Sequence, residues 1–274
     1  MKKTAPVALI TAFAAALTLS SCGSKDDDNK DLTTITVGAS PVPHGEILQY
    51  VRDNLAEAAG INLKIVEYQD YILPNKALSQ GDLDANYFQH VPYLEAQEAE
   101  YDYDFYAFEG IHIEPLGIYS SKHDSLDQVA DGSVIGVSND PANQARGLWL
   151  LEDAGIIKLN DTGDRDPTID DLAADSPYNV ELIELESKLL AVNLPDLDYS
   201  VINGNYALDA GLSPAKDALL AETAVDNPYV NILVTTSAKQ NDADLKKLND
   251  LLHSPEVKKF IQERWTDNSV VPAF

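Results

Sequence analysis

Four short stretches of this chain carry side chains suited to gripping a small polar molecule. In Asn139-Asp140-Pro141-Ala142-Asn143-Gln144-Ala145-Arg146 a strand gives way to a helix. Asp140 suits the N-cap and Pro141 the first helical position. Helical side chains lean toward the N-terminus. The guanidinium of Arg146 therefore reaches back to the junction, where backbone amides and the helix dipole also favour an anion. Its planar fork matches a carboxylate, although in a chain with 45 Asp+Glu the same arginine equally suits a surface ion pair. In Asp84–Tyr93 the residues Tyr87, Phe88, His90 and Tyr93 cluster at a strand end. Such a cluster either walls a pocket for a flexible apolar or thioether side chain, since sulfur favours aromatic contact, or forms an aromatic minicore. Asn203 and Asn231 stand at element junctions in Ile202-Asn203-Gly204-Asn205-Tyr206 and Pro228-Tyr229-Val230-Asn231. Each can hydrogen-bond a ligand amine or carboxylate, or simply cap a turn.

Catalytic motifs are missing. The chain has no GxSxG, P-loop or GxGxxG, and its five histidines show no HxH or HExxH spacing, so neither an enzyme nor a metal centre is expected. The acidic run 160–166 lacks the glycine and terminal Glu of a calcium loop. No cofactor is implied.

The elements that must position these residues alternate. Strands are expected at 35–39, 61–68, 84–88, within 105–120, and at 133–137, 179–185, 199–202 and 230–235. Helices are expected over 45–59, from Pro74 to Gly81, over 93–101 and 141–153, and at about 168–174, 205–211, 242–252 and 255–265. Strands separated by helices imply βαβ units and mainly parallel sheet, an α/β fold. The length and the restart of the pattern near residue 122 suggest two lobes. Ligands in such sheets bind beyond the carboxyl ends of strands, and with two lobes the natural place is the cleft between them.

The first thirty residues address the chain. Lys2 and Lys3 precede an apolar, alanine-rich run to Leu19, which is too short to span a membrane and has the size of a signal-peptide core. It ends in Leu19-Ser20-Ser21-Cys22, resembling the lipobox of bacterial lipoproteins. That implies cleavage after residue 21, a lipid (palmitate) on Cys22, and attachment to the extracytoplasmic face of the cell membrane. Cys22 is the only cysteine, so a disulfide within the chain is excluded. Residues 22–33 read as a polar, flexible tether. The net charge is −26, and loss of Lys2 and Lys3 deepens it by two. Nucleic-acid binding, which needs a basic face, is excluded. So is electrostatic attachment to anionic lipid, which leaves the anchoring to the acyl chains.

Taken together the motifs resemble those of the NlpA family, the methionine-binding lipoproteins of ABC importers. The stretches that carry the resemblance are Asp70-Tyr71-Ile72-Leu73-Pro74-Asn75, Ala77-Leu78, Gly81-Asp82-Leu83-Asp84-Ala85-Asn86, Phe88-Gln89-His90, Pro92-Tyr93-Leu94, Glu114–Ser120, Asn139-Asp140-Pro141, Ile202-Asn203 and Pro228–Asn231. The resemblance implies a periplasmic-binding-protein-like fold of type II with two hinge crossings and a ligand cleft. One lobe would comprise 34–121 plus 229–274, and the other 122–228. It implies that Arg146 takes an amino-acid carboxylate, with Asn143 beside it. Asn203 and Asn231 would hold the backbone amine and carboxylate, and Glu114 would meet the ammonium. Tyr71, Phe88, His90 and Tyr93 would surround the side chain. The implied ligand is L-methionine or a close analogue, since relatives also take derivatives and methionine-containing dipeptides. The implied partners are the permease and ATPase subunits of the importer, with the chain itself a monomer. Tyr87 stands where relatives often carry a smaller residue, which bears on side-chain preference.

Overall fold

The computed structural model describes residues 32–163 and 165–274. The expected signal peptide, Cys22 and most of the tether lie outside them. The described chain builds two sheets. In the first, β1 (Thr33–Ala39) lies between β2 (Ile61–Glu67) and β3 (Ala85–His90), all three parallel. β4 (Phe105–Ile113) completes this half of the chain. The helices between these strands are α1 (Glu46–Val51, continued by a wider turn over Arg52–Ala56), α2 (Leu73–Gln80) and α3 (Val91–Tyr101). α2 ends on Gly81, whose φ of 79° is the left-handed cap that glycine adopts without strain. α3 is capped by a site residue: the His90 ring accepts from the Tyr93 backbone amide, and Pro92 occupies the first turn.

The chain then changes sheets. β5 (Gly117–Tyr119), β6 (Val134–Ser138), β7 (Glu181–Leu185), β8 (Tyr199–Ile202) and β9 (Leu220–Ala221) form the second sheet in the order β7-β6-β8-β5-β9. With it go α4 (Pro141–Asp153), α5 (Ser187–Leu190) and α6 (Gly204–Asp209). β10 (Asn231–Thr236) returns to the first sheet, where it pairs antiparallel with both β3 and β4. α7 (Ala243–Leu252), α8 (Pro255–Arg264) and the edge strand β11 (Val271–Pro272) finish the chain, giving the order β11-β4-β10-β3-β1-β2. The crossings between sheets therefore fall at 114–116 and 222–230. β5 belongs to the second sheet, a few residues before the expected boundary at 121/122.

Each sheet has its own core. Val37, Ile47, Leu48, Tyr87, Leu233, Leu248 and Ile261 are fully buried in the first. Ile118, Ile135, Val137, Leu148, Leu151 and Tyr199 fill the second. The architecture is α/β and two-lobed. Among the described residues no helix is long and apolar enough to cross a membrane. Two local expectations change. The helix expected at about 168–174 is a single turn, Ile169–Asp171, because Leu172 must extend to pair with Leu159. The terminal segment 270–274, given no role above, supplies β11, with Pro272 tolerated on a sheet edge.

Gly204 marks where α6 meets the first crossing. A Cβ there would lie 2.5 Å from Glu114 Cβ and 3.2 Å from the Pro115 carbonyl oxygen. Gly204→Ala is therefore expected to lose about 1–3 kcal/mol of stability, the usual cost of overpacking, read as a lowered midpoint in urea unfolding.

Candidate functional site

The carboxyl end of β3, the first crossing, the opening turns of α4 and α6 and the start of β10 converge on a cavity of about 320 Å³. Tyr71, Phe88, His90, Tyr93, Glu114, Asn143, Arg146, Asn203 and Asn231 all line it, together with Gln89 and Asn205. The nine positions singled out in the sequence are thus brought to one place, from both sheets.

Their hydrogen bonds give the cavity a polarity. His90 Nδ1 accepts from the Tyr93 amide at 3.2 Å, so Nε2 carries the proton and donates to Asn143 Oδ1, also at 3.2 Å. Asn203 Nδ2 donates to the same oxygen at 2.7 Å. Asn143 Nδ2 is spent on the N-cap Asp140, at 3.0 and 3.1 Å. The whole Asn143 amide is therefore committed, and it orients its neighbours. Asn203 Oδ1 is left buried with no partner among the described residues, a free acceptor. Asn231 has the opposite sense. Its Oδ1 lies 2.9 Å from His44 Nε2, and the other oxygen near that nitrogen belongs to Glu114, at 3.4 Å. Nε2 therefore donates, and Asn231 presents its NH2 group to the cavity.

Arg146 is buried, with 4% of its surface exposed, and it is already paired. Its Nε donates to Glu222 Oε1 at 2.8 Å and its Nη2 to Oε2 at 2.5 Å, while Nη2 also reaches the Glu114 carbonyl at 3.3 Å. The guanidinium lies 4.2 Å above the Tyr229 ring. The fork expected to meet a ligand carboxylate thus meets Glu222, and the remaining nitrogen, Nη1, makes no hydrogen bond among the described residues. Glu222 also accepts from the Leu116 amide at 3.1 Å and from Asn227 Nδ2 at 3.3 Å. It therefore ties α4 to both crossings. Sequence reasoning missed Glu222, one carboxylate among many. Tyr229 and Asn205 lay within quoted motifs without a role.

Behind Glu114 runs a buried chain. His112 Nε2 donates to Glu114 Oε1 at 2.6 Å, and the Tyr87 hydroxyl bonds His112 Nδ1. His44, His112 and Glu114 bring three potential ligand atoms within 4.8 Å of one another. The histidine spacing gave no sign of this grouping, and hydrogen bonds already link its members. Burial lowers His44 to about 4 and His112 to about 3. Burial, then the Arg146 charge, lowers His90 to about 3. Burial raises Glu114 to about 7, opposed by His44 and Arg146.

The far end is aromatic. Tyr71 lies 4.8 Å from Tyr206, 5.7 Å from Tyr93 and 6.0 Å from Phe88, between ring centroids. The Tyr71 hydroxyl donates to Asn205 Oδ1 at 2.5 Å, bonding one lobe to the other across the cleft.

The NlpA lipoprotein family model matches residues 35–274. The methionine-binding lipoprotein MetQ of Bacillus subtilis is 37% identical over 276 residues, 99% of each chain. A nutrient binding protein from Burkholderia cenocepacia, solved bound to methionine, is 40% identical with a TM-score of 0.83, covering 88% of this chain and 100% of that one. An ABC transporter periplasmic substrate-binding protein from Coxiella burnetii is 36% identical with a TM-score of 0.82, covering 87% and 100%.

The buried titrations set an acid response. His44, His90 and His112 contribute stability that is present above pH 6.5 and lost as pH falls toward 4 and 3. Glu114 acts in the opposite sense, being most favourable below pH 4.5 and losing that contribution as pH rises toward 7. Three imidazoles outweigh one carboxyl, so the urea midpoint should fall as pH drops from about 6.5 to 4.5. A midpoint that rises over that window would contradict neutral buried imidazoles.

Proposed function

Because this chain belongs to the NlpA lipoprotein family, we propose that it is an extracytoplasmic substrate-binding lipoprotein that captures L-methionine between its lobes and delivers it to an ABC importer. The observation that carries the reading is the polarity of the cavity. Arg146 Nη1 and the Asn231 NH2 group offer donors to a carboxylate. Asn203 Oδ1 is a buried acceptor without a partner among the described residues, and with Glu114 it suits an ammonium. Tyr71, Phe88, His90 and Tyr93 enclose the apolar remainder. A free amino acid brings those three features in one small molecule. Burying a zwitterion is costly unless each charge is met, and these donors and acceptors would meet both. The names of the relatives support the choice of amino acid: the Bacillus protein is named for methionine, and the Burkholderia protein holds it.

The work is capture without bond making. Residues about 34–116 with 229–274 form one lobe, and 117–228 the other. The ligand touches both, so it favours the closed arrangement by its differential affinity for it. The importer, through its permease and ATPase subunits, receives the cargo, and the binding protein acts as a monomer. A lipid on Cys22 and the tether hold the chain at the membrane surface and raise its effective concentration near that importer.

Arg146→Ala should weaken methionine binding by about 2–5 kcal/mol, roughly 30- to 5,000-fold, the usual loss when a buried charge partner is removed. Titration calorimetry showing unchanged affinity would refute the assignment. Mass spectrometry of small molecules released on denaturing the purified protein should find methionine. Recovery of a methionine-containing dipeptide or a methionine derivative instead would change the cargo within the class. Recovery of nothing, with no thermal shift from any amino acid, would overturn the reading.

A further inference from the structure

The short helix α6 reaches two different places on the molecule. At its start Asn205 lines the ligand cavity. Leu208 near its end, with Ser213 and Lys216 just beyond, lines a groove of about 780 Å³. The facing wall of that groove, with Val42, Trp265 and Asp267, belongs to the first lobe. Cavity and groove have no lining residue in common.

The first crossing lies between them. Glu114 lines the cavity, and Gly204 of α6 packs directly on it, with no room for a Cβ. On the other side His44 stands behind Glu114, its Nε2 3.4 Å from the carboxylate. Val42, two residues earlier, lines the groove. Along both segments the path from cavity to groove therefore passes a residue that joins the lobes.

Bonds between the lobes are made on both sides of that crossing. On the cavity side the Tyr71 hydroxyl donates to Asn205 Oδ1 at 2.5 Å, and the Tyr206 hydroxyl to the Gln69 carbonyl at 3.3 Å. On the groove side Ser213 Oγ donates to Asp267 Oδ2 at 2.9 Å, and Lys216 Nζ lies 3.0 Å from the same oxygen. The other oxygen of Asp267 is held within its own lobe by the Ser269 amide and hydroxyl, at 3.2 and 2.7 Å. Leu208 packs against the core of the first sheet. A hinge rotation that parts the walls on one side of a crossing draws them together on the other. Hydrogen bonds weaken steeply once distance and angle change, so bonds on both sides fit one arrangement of the lobes, the closed one.

We infer that Asp267 is a remote positioning residue for ligand capture: through Ser213 and Lys216 it favours the closed arrangement from behind the crossing, and so tightens the binding of a ligand it never touches. The inference rests on the amino-acid reading of the cavity, and its test separates the two. The double variant Ser213→Ala with Lys216→Ala removes the bridge and leaves Asp267 bonded to Ser269. Methionine binding to the full chain, with and without these changes, is measured by calorimetry and stopped-flow kinetics. Affinity should fall about three-fold or more, the scale of one hydrogen bond and one exposed ion pair. The loss should come from faster dissociation, because the bridge forms after the ligand is seated. The ligand-free urea midpoint should stay unchanged, since the open form lacks the bridge. Affinity unchanged, or lost together with a matching fall in the ligand-free midpoint, would mark an ordinary structural contact and overturn this inference alone. Failure of the unaltered chain to bind methionine would overturn the amino-acid reading and the inference with it.

Discussion

A guanidinium buried as deeply as that of Arg146 must be neutralised where it stands, because an unpaired charge in a protein interior costs several kcal/mol. Glu222 does this through two parallel hydrogen bonds. The same carboxylate accepts from Leu116 on the outgoing crossing and from Asn227 on the returning one. Electrostatic necessity at one side chain therefore draws together α4 and both segments that join the lobes. Buried ion pairs contribute less to stability than to arrangement, and arrangement is what this one supplies. With Nε and Nη2 engaged, the guanidinium is fixed edge-on, and Tyr229 covers its face. The position of the charge in the cavity is settled by contacts outside it.

The amides obey the same rule of satisfaction. Asn75, Asn86 and Gln89 close a fully bonded cluster beside α2 and so hold β3 in place. Around the cavity the accounting is deliberately incomplete. His90, Asn143 and Asp140 use up one another's groups, and what remains is an acceptor on Asn203 and donors on Asn231 and Arg146. The buried chain from Tyr87 through His112 to Glu114, joined by His44, keeps imidazoles neutral next to a carboxyl whose own ionisation is pushed toward neutrality.

Strong periodicity made most of the fold readable. The helix 141–153 matched the structure to the residue because Asp140, Pro141 and a following apolar face agree. Where one contact decides, the pattern failed: Leu172 extends to meet Leu159, and β11 exists only because β4 offers an edge. Arg146, Phe88, His90, Tyr93, Asn203 and Asn231 were visible because they fall at or near strand-to-helix junctions and element starts, whereas Tyr71, Asn143 and Glu114 came only with the family resemblance. Glu222 and His44 were not visible, since the partners that give them their place, Arg146 and Asn231, stand 76 and 187 residues away in the chain. Spacing in the chain cannot show that, and a carboxylate in so acidic a sequence carries little information.

β10 lies between β3 and β4 in the first sheet, yet the chain reaches it only after the whole second sheet has been traversed. This imposes an order on assembly. The second sheet draws on a single continuous run from Gly117 to Ala221 and can close as soon as that run exists. The first must keep β3 and β4 apart, with their inner edges unpaired, until residues near 231–236 arrive from more than a hundred positions away. Contacts so distant in the chain carry a large loop-closure cost and slow a domain's final step. The lobe that begins first along the chain is therefore the one completed last.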